Sequence, residues 1–239
     1  MNVKGVVLAG GTGSRLFPLT QVTNKHLLPV GRKPMIFHPI EQLRGMGIDE
    51  ILVVTGREHM GDVLNLLGSG ADFGCSFTYR VQDRAGGIAE ALGLARSFAG
   101  GDRVAVLLGD NVFQHPLKPH FDAFLRQGRG ARVMLKEVQD ANRFGVAELL
   151  GGRITSIVEK PDLPGPAPAV VGAYLYDAGV FDEIDRLVPS ARGELEITDV
   201  NNAYAARGEL EHGFIDGWWT DAGTFESLAL ANRLLEEGA

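Results

Sequence analysis

The chain has a single cysteine, Cys75, among its 239 residues, which excludes an intramolecular disulfide and any cysteine-cluster metal site. Its setting, Phe73-Gly74-Cys75-Ser76-Phe77, reads as a buried strand start. No apolar run approaches the roughly 20 residues of a membrane span. Residues 3–8 are too short an apolar run, and too soon followed by glycine, for the core of a signal peptide. A cytoplasmic setting without membrane partners is therefore expected. Basic excess is missing too: the formal net charge is −7, which argues against a general binder of nucleic acid or anionic membrane. The six histidines are scattered without ligand spacing. No internal repeat, low-complexity tract or long linker divides the sequence, so one domain over residues 1–239 is expected.

What the chain does have is a strong alternation of apolar runs and helical patterns. Residues 3–9, 51–55, 76–81 and 104–108 read as strands, and 39–46, 59–67 and 88–98 as helices. The near-continuous apolar character of 104–108 fits a sheet covered on both faces. This βαβα rhythm predicts an α/β fold, Rossmann-like and doubly wound, with a mainly parallel mixed sheet and helices on both faces. The second half changes style. Strands are expected at 131–138, 145–150, 154–159, 169–176 and 209–214, with few helices between them and a hairpin turn at Gly151-Gly152. Four prolines make 161–168 an extended loop, and 196–207 and 225–237 read as helices.

The chemistry begins at Leu8-Ala9-Gly10-Gly11-Thr12-Gly13-Ser14-Arg15, with Lys25 ten residues further on. A strand that empties into glycines lets successive backbone N–H groups close around an oligophosphate. The run is not a dinucleotide fingerprint, because Leu16 stands where the third glycine belongs and no acidic residue ends the next strand. No Gly-Lys-Ser/Thr occurs, which excludes a P-loop. A structural turn is the plain alternative, but such a turn needs neither Arg15 nor Lys25. Asp110 follows the apolar strand 104–108, at the carboxyl end where open α/β sheets bind ligands. It suits Mg2+ on phosphate oxygens, or equally a turn in which the carboxylate satisfies local amides. Asp221 is either a cap for the helix at 225 or a second carboxylate for the same cation. Lys160 is a phosphate neutraliser or half of a surface ion pair with Glu159. The amide of Gln82 offers a base edge both a donor and an acceptor.

An ordered set of motifs ties these residues together. It comprises Leu-Ala-Gly-Gly-Thr-Gly-Ser-Arg at 8–15, Lys-His-Leu-Leu-Pro-Val at 25–30, Gly-Gly-Ile-Ala-Glu-Ala at 86–91 and Leu-Gly-Asp-Asn at 108–111. Phe-Gly-Val at 144–146, Glu-Lys-Pro at 159–161, Arg-Gly-Glu-Leu-Glu-Ile-Thr-Asp at 192–199 and Trp-Thr-Asp-Ala-Gly-Thr at 219–224 complete it. Together they resemble the sugar-nucleotide pyrophosphorylases, and within them the thymidylyltransferases that act on glucose 1-phosphate.

The resemblance implies a nucleotide-diphospho-sugar transferase fold, with residues 1–115 as the nucleotide part and 116–239 as the sugar-phosphate part and closing helix. It implies dTTP and glucose 1-phosphate as substrates, dTDP-glucose and pyrophosphate as products, and Mg2+ as cofactor. Arg15, Lys25 and Asp110 would be catalytic. Leu8, Ala9, Gly10, Gly11, Thr12, Gly13, Ser14, Gln82 and Gly87 would join them in binding the nucleotide. Asn111, Gly145, Glu159, Lys160 and Val170 would bind the sugar phosphate, and Asp110 and Asp221 would share the metal. A uridylyltransferase and a non-catalytic sugar-nucleotide-binding protein are the competing readings. A homotetramer is implied by the resemblance alone. Two positions depart from the family pattern: His26 replaces a common Gln, and Val171 a common Thr, which would put a methyl in place of a hydroxyl near the sugar. Longer relatives also carry C-terminal helices associated with a secondary nucleotide site.

Overall fold

The computed structural model describes residues 2–163 and 165–237. The first half supplies β1 (Val3–Ala9), the short strands β2 (Pro29–Val30) and β3 (Lys33–Pro34), β4 (Glu50–Gly56), β5 (Ser76–Gln82), β6 (Arg103–Leu108) and β7 (Asn111–Phe113). Helices α1 (Phe37–Gly45), α2 (Met60–Leu67), α3 (Ile88–Gly93) and α4 (Arg96–Ala99) connect them. The second half contains α5 (Lys118–Gln127), β8 (Ala131–Val138), β9 (Gly145–Leu150), β10 (Arg153–Glu159) and β11 (Ala167–Tyr176). After these come α6 (Val180–Asp185), α7 (Ile197–Ala206), β12 (Leu210–Phe214), β13 (Trp219–Asp221) and α8 (Phe225–Glu237).

One large mixed sheet runs in the order β10-β9-β11-β6-β1-β4-β5, with β8 pairing β11 and β12. Strands β6, β1, β4 and β5 are mutually parallel, so their carboxyl ends share one edge. Strand side chains alternate between faces, and each face carries its own core. Val6 and Leu8 pack with Leu92 of α3, Phe181 of α6 and Tyr204 of α7. Val7 and Ala9 pack with Leu43 of α1, Val63 of α2 and Phe124 of α5. A smaller cluster joins Ala231 of α8 to Leu16, Leu28 and Met35, which pins the long segment after β1 against the closing helix.

The expected strands and helices recur with shifts of a residue or two, apart from these differences. Residues 88–98 form two helices, because the chain tightens at Leu92, whose carbonyl accepts from Ala95 N three residues on, next to the poor helix former Gly93. Pro168 lies inside β11 opposite Glu137, so the irregular loop is shorter than its prolines suggested. Cys75 precedes β5 and is half-buried rather than buried. Helices α5 and α6 add to the few expected in the second half. Among the described residues, no helix is long and apolar enough to cross a membrane.

Candidate active site

The glycine run leaves β1 at the sheet's carboxyl edge and folds back on itself. Gly13 takes a left-handed φ of +66°, and a Cβ there would stand 3.0 Å from the Lys25 stem. Leu16 N and Thr20 Oγ1 both donate to the Gly13 carbonyl, at 2.9 and 3.0 Å. Leu16 is fully buried, which leaves its neighbour Arg15 exposed above the edge. Arg15 makes no ion pair among the described residues. Its Nη2 would lie 3.3 Å from a Cβ on Gly223.

The same position on Gly223 is 3.6 Å from Oδ2 of Asp110 and 3.6 Å from Oδ2 of Asp221. A short ladder brings these distant carboxylates together. Strand β13 pairs antiparallel with β7, opposing Asp221 to Asn111, and Ala222 N donates to the Asp110 carbonyl at 2.8 Å. Lys25 Nζ donates to Asp110 Oδ2 at 2.5 Å, with both side chains almost buried. Burial pushes the Asp110 carboxyl up, but Lys25 and the hydrogen bonds from Lys25 and Asn111 outweigh it and hold the group well below the usual carboxylate range. Asn111 Nδ2 donates to Asp110 Oδ1, while Asn111 Oδ1 accepts from Gly172 N and Trp219 Nε1. The Asn111 side chain is thus committed to holding Asp110 in place.

Asp221 has a partner that the sequence reading missed. Arg143 donates to both its oxygens, at 3.0 and 3.1 Å, and is braced by Asp140 at 2.7 Å and by the Phe144 ring. Burial pushes the Asp221 carboxyl up; Arg143 opposes that shift and the Asp110 charge adds to it. The only sequence signal for Arg143 was its place just before Phe-Gly-Val. Across the cavity, Glu159 accepts from Thr198 Oγ1 at 2.6 Å and pairs with Lys160 and Arg192, each at 3.4 Å. Gly145 faces the same carboxylate, since a Cβ on it would be 3.5 Å from Glu159 Oε2.

A cavity of ≈ 400 Å³ collects most of the residues expected at the site. Leu8, Gly10, Gly11, Arg15, Lys25, Gln82, Gly87, Asp110, Asn111, Gly145, Glu159, Lys160, Val170 and Asp221 all line it. Thr12 faces an adjoining smaller cavity. Gly13 and Ser14 line neither, and Ala9 is buried in the core. Val171 corrects the expectation drawn from it: its side chain is fully buried on the opposite face of β11, so its methyls do not reach the cavity that Val170 lines.

This arrangement has close counterparts. The family model described as nucleotidyl transferase matches residues 4–238. The chain belongs to the nucleotidyl transferase family.

A glucose-1-phosphate thymidylyltransferase from Neisseria meningitidis is 43% identical over 95% of this chain and 80% of its own length. A low-salt glycan biosynthesis nucleotidyltransferase from Haloferax volcanii is 40% identical over 98% of this chain, which spans 66% of that protein. Among solved structures, a candidate glucose-1-phosphate thymidylyltransferase from Bacillus anthracis, in complex with sucrose, is 57% identical with a TM-score of 0.93, covering 98% of this chain and 95% of that one. A UDP-glucose pyrophosphorylase bound to UDP-glucose matches with a TM-score of 0.85 at 26% identity, over the full length of both chains.

In this nucleotidyl transferase His26 is buried near the Lys25 and Asp110 charges, which act on it in opposite senses. Its Nδ1 lies 2.7 Å from Asn24 Oδ1, an acceptor, so Nδ1 carries the proton of the neutral ring. Burial lowers its pKa from 6.5 to about 3, Lys25 adding to the shift and Asp110 opposing it. Between those values the folded enzyme binds fewer protons than the unfolded chain. Stability is therefore complete above pH 6.5 and falls as pH drops below it, by about 1.4 kcal/mol per pH unit from this one group. Asp110, depressed in the folded state, adds a loss in the same direction only below about pH 4. Urea unfolding between pH 7.5 and 4.5 measures the slope. His26→Gln flattens it, and an unchanged slope in that variant would remove His26 from the account.

Proposed function

We propose that this enzyme transfers the thymidylyl group of dTTP to α-D-glucose 1-phosphate, giving dTDP-glucose and pyrophosphate. The observation that carries the reading is the meeting of an exposed guanidinium, Arg15, with two carboxylates from distant parts of the chain, Asp110 and Asp221, around Gly223. The Neisseria and Bacillus anthracis relatives bear the thymidylyltransferase name, and both match nearly the whole of this chain.

The chemistry needs no nucleophile or general base from the protein. A sugar phosphate is already anionic at neutral pH; one of its oxygens attacks the α-phosphorus of the triphosphate, and the bond to the bridging oxygen of pyrophosphate breaks. The obstacle is bringing two polyanions together, so positioning and charge stabilisation carry the catalysis. Arg15 meets the charge that develops on the leaving pyrophosphate. Lys160, across the cavity beside Glu159, draws in the sugar phosphate, and Glu159 takes hydrogen bonds from the sugar hydroxyls. Gln82 and Gly87 hold the base. Asp110 and Asp221 fit a divalent ion of the Mg2+ kind: they are hard oxygen donors, held side by side by the β7–β13 ladder, and such ions complete their shell with phosphate oxygens and water. Bound there, Mg2+ would neutralise triphosphate charge.

One observation favours a second reading. The full-length match to a UDP-glucose pyrophosphorylase makes UTP the alternative nucleotide. A pyrophosphate-release assay decides between them. It crosses dTTP, UTP, GTP, CTP and ATP with glucose, galactose, mannose and N-acetylglucosamine 1-phosphates, with and without Mg2+. Release is expected with dTTP and glucose 1-phosphate, and only with the metal. Preference for UTP promotes the second reading, and no release with any pair defeats both.

A further inference from the structure

Gln82, at the end of β5, is 9% exposed and has two neighbours that accept hydrogen bonds only. Its Nε2 is 3.2 Å from the Gly87 carbonyl and 3.2 Å from Glu90 Oε1. A carbonyl and a carboxylate have no proton to give, so both amide hydrogens must point at them, and the opposite amide orientation would set Oε1 against two acceptors. The Gln82 oxygen is left over. It has no protein donor among the described residues and lies against Gly10, where a Cβ would be 2.8 Å away. Gly10 therefore keeps that oxygen open to the cavity. The pair is held from behind: Arg84 donates twice to Glu90 Oε2, at 2.9 and 3.0 Å. The turn at Gly87 is fixed as well, since a Cβ there would strike the Leu195 carbonyl at 2.4 Å.

We propose that Glu90 is a specificity-determining positioning residue, which locks the Gln82 amide so that it presents an acceptor alone and thereby selects a pyrimidine that carries N3–H. This rests on the reading that Gln82 faces the base. Thymine and uracil offer a donor at N3. Cytosine offers an acceptor there, and two apposed acceptors exclude water without forming a bond, which is how a polar site rejects a near-isostere. Glu90 touches no substrate; it acts through Gln82. Replacing it with Gln leaves one acceptor oxygen, which the Arg84 donors claim, and turns an amide N–H toward Gln82, so the flipped Gln82 oxygen gains a donor.

The test is calorimetric binding of dTTP and dCTP, each with Mg2+ and without sugar phosphate, to the wild-type enzyme and to Glu90→Gln and Glu90→Ala. The wild-type enzyme is expected to bind dTTP at least about 100-fold more tightly than dCTP. Glu90→Gln, which keeps the side-chain volume, narrows that ratio by about tenfold or more, mainly through tighter dCTP; Glu90→Ala narrows it in the same direction. A residue that only packs the start of α3 would weaken both nucleotides by one factor. An unchanged ratio in Glu90→Gln overturns the proposal, and so does a wild-type enzyme that binds both nucleotides alike. Failure of the transferase reading is separate, because it appears as missing turnover while the binding ratio still reports on Glu90.

Discussion

Arg15→Ala lowers kcat by a factor on the order of 10²–10³ while the Kd for dTTP stays within about tenfold. The asymmetry follows from where Arg15 stands. Its backbone belongs to the glycine loop, but its guanidinium is exposed beside Asp110 and Asp221 and makes no ion pair among the described residues, so its charge is free for phosphate. On the proposed function, ground-state nucleotide affinity would rest on many contacts, among them the loop amides, Gln82 and the metal. Charge on the departing pyrophosphate grows only as the bond to the α-phosphorus breaks, and an interaction made mainly then changes kcat. Arg15→Lys restores part of the rate, because a point charge replaces a fork. Presteady-state pyrophosphate release with saturating dTTP measures the effect. A kcat within threefold of wild type would remove Arg15 from the chemistry.

Lys25→Met is expected to damage both stability and turnover, and the two losses can be separated. The Lys25–Asp110 pair is 2.5 Å long and nearly buried, so deleting the ammonium strands a buried carboxylate. Breaking such a pair typically costs about 3–5 kcal/mol, which urea unfolding at pH 7.5 reads directly. The stranded Asp110 also loses the partner that holds its carboxyl low, and its pKa rises. In the double variant Lys25→Met/Asp110→Asn no uncompensated charge is left, and most of the stability returns. Turnover does not, because both the cation and the carboxylate proposed to hold the metal are gone. A single variant that loses less than about 1 kcal/mol would mean that the pair is not buried as described.

How much of this was legible in the sequence depended on the range of the contacts involved. Strands β1, β8 and β9 and helix α8 announce themselves by local apolar patterns and match residue for residue. Helix α5 has no counterpart among the expected elements, although Pro119 in its first turn suits a helix and Leu117, Phe121 and Phe124 carry the right spacing. Strands β7 and β13 have three residues each and exist only because they pair with one another. No local pattern could reveal them, so the meeting of Asp110 and Asp221 was legible only through the family resemblance. Arg143 was missed for the same reason, since its defining partner Asp221 lies 78 residues away. Val171 was misread where strand periodicity held the answer: Val170, Gly172 and Tyr174 line the cavity, so Val171 between them must face the other way. Gln82 was seen as both donor and acceptor, and only the structure places Glu90 and the Gly87 carbonyl on its nitrogen.

The central claim is that an anionic oxygen of the sugar phosphate is the nucleophile at the α-phosphorus, in a site assembled from Arg15, Lys25, Asp110 and Asp221. Its most direct test is one isotope experiment: glucose 1-phosphate carrying 18O in its phosphate oxygens, unlabelled dTTP and Mg2+, with both products weighed by mass spectrometry. Attack by a sugar-phosphate oxygen leaves all of the label in dTDP-glucose and none in the pyrophosphate. Label in the pyrophosphate, or the absence of any dTDP-glucose, would contradict the account.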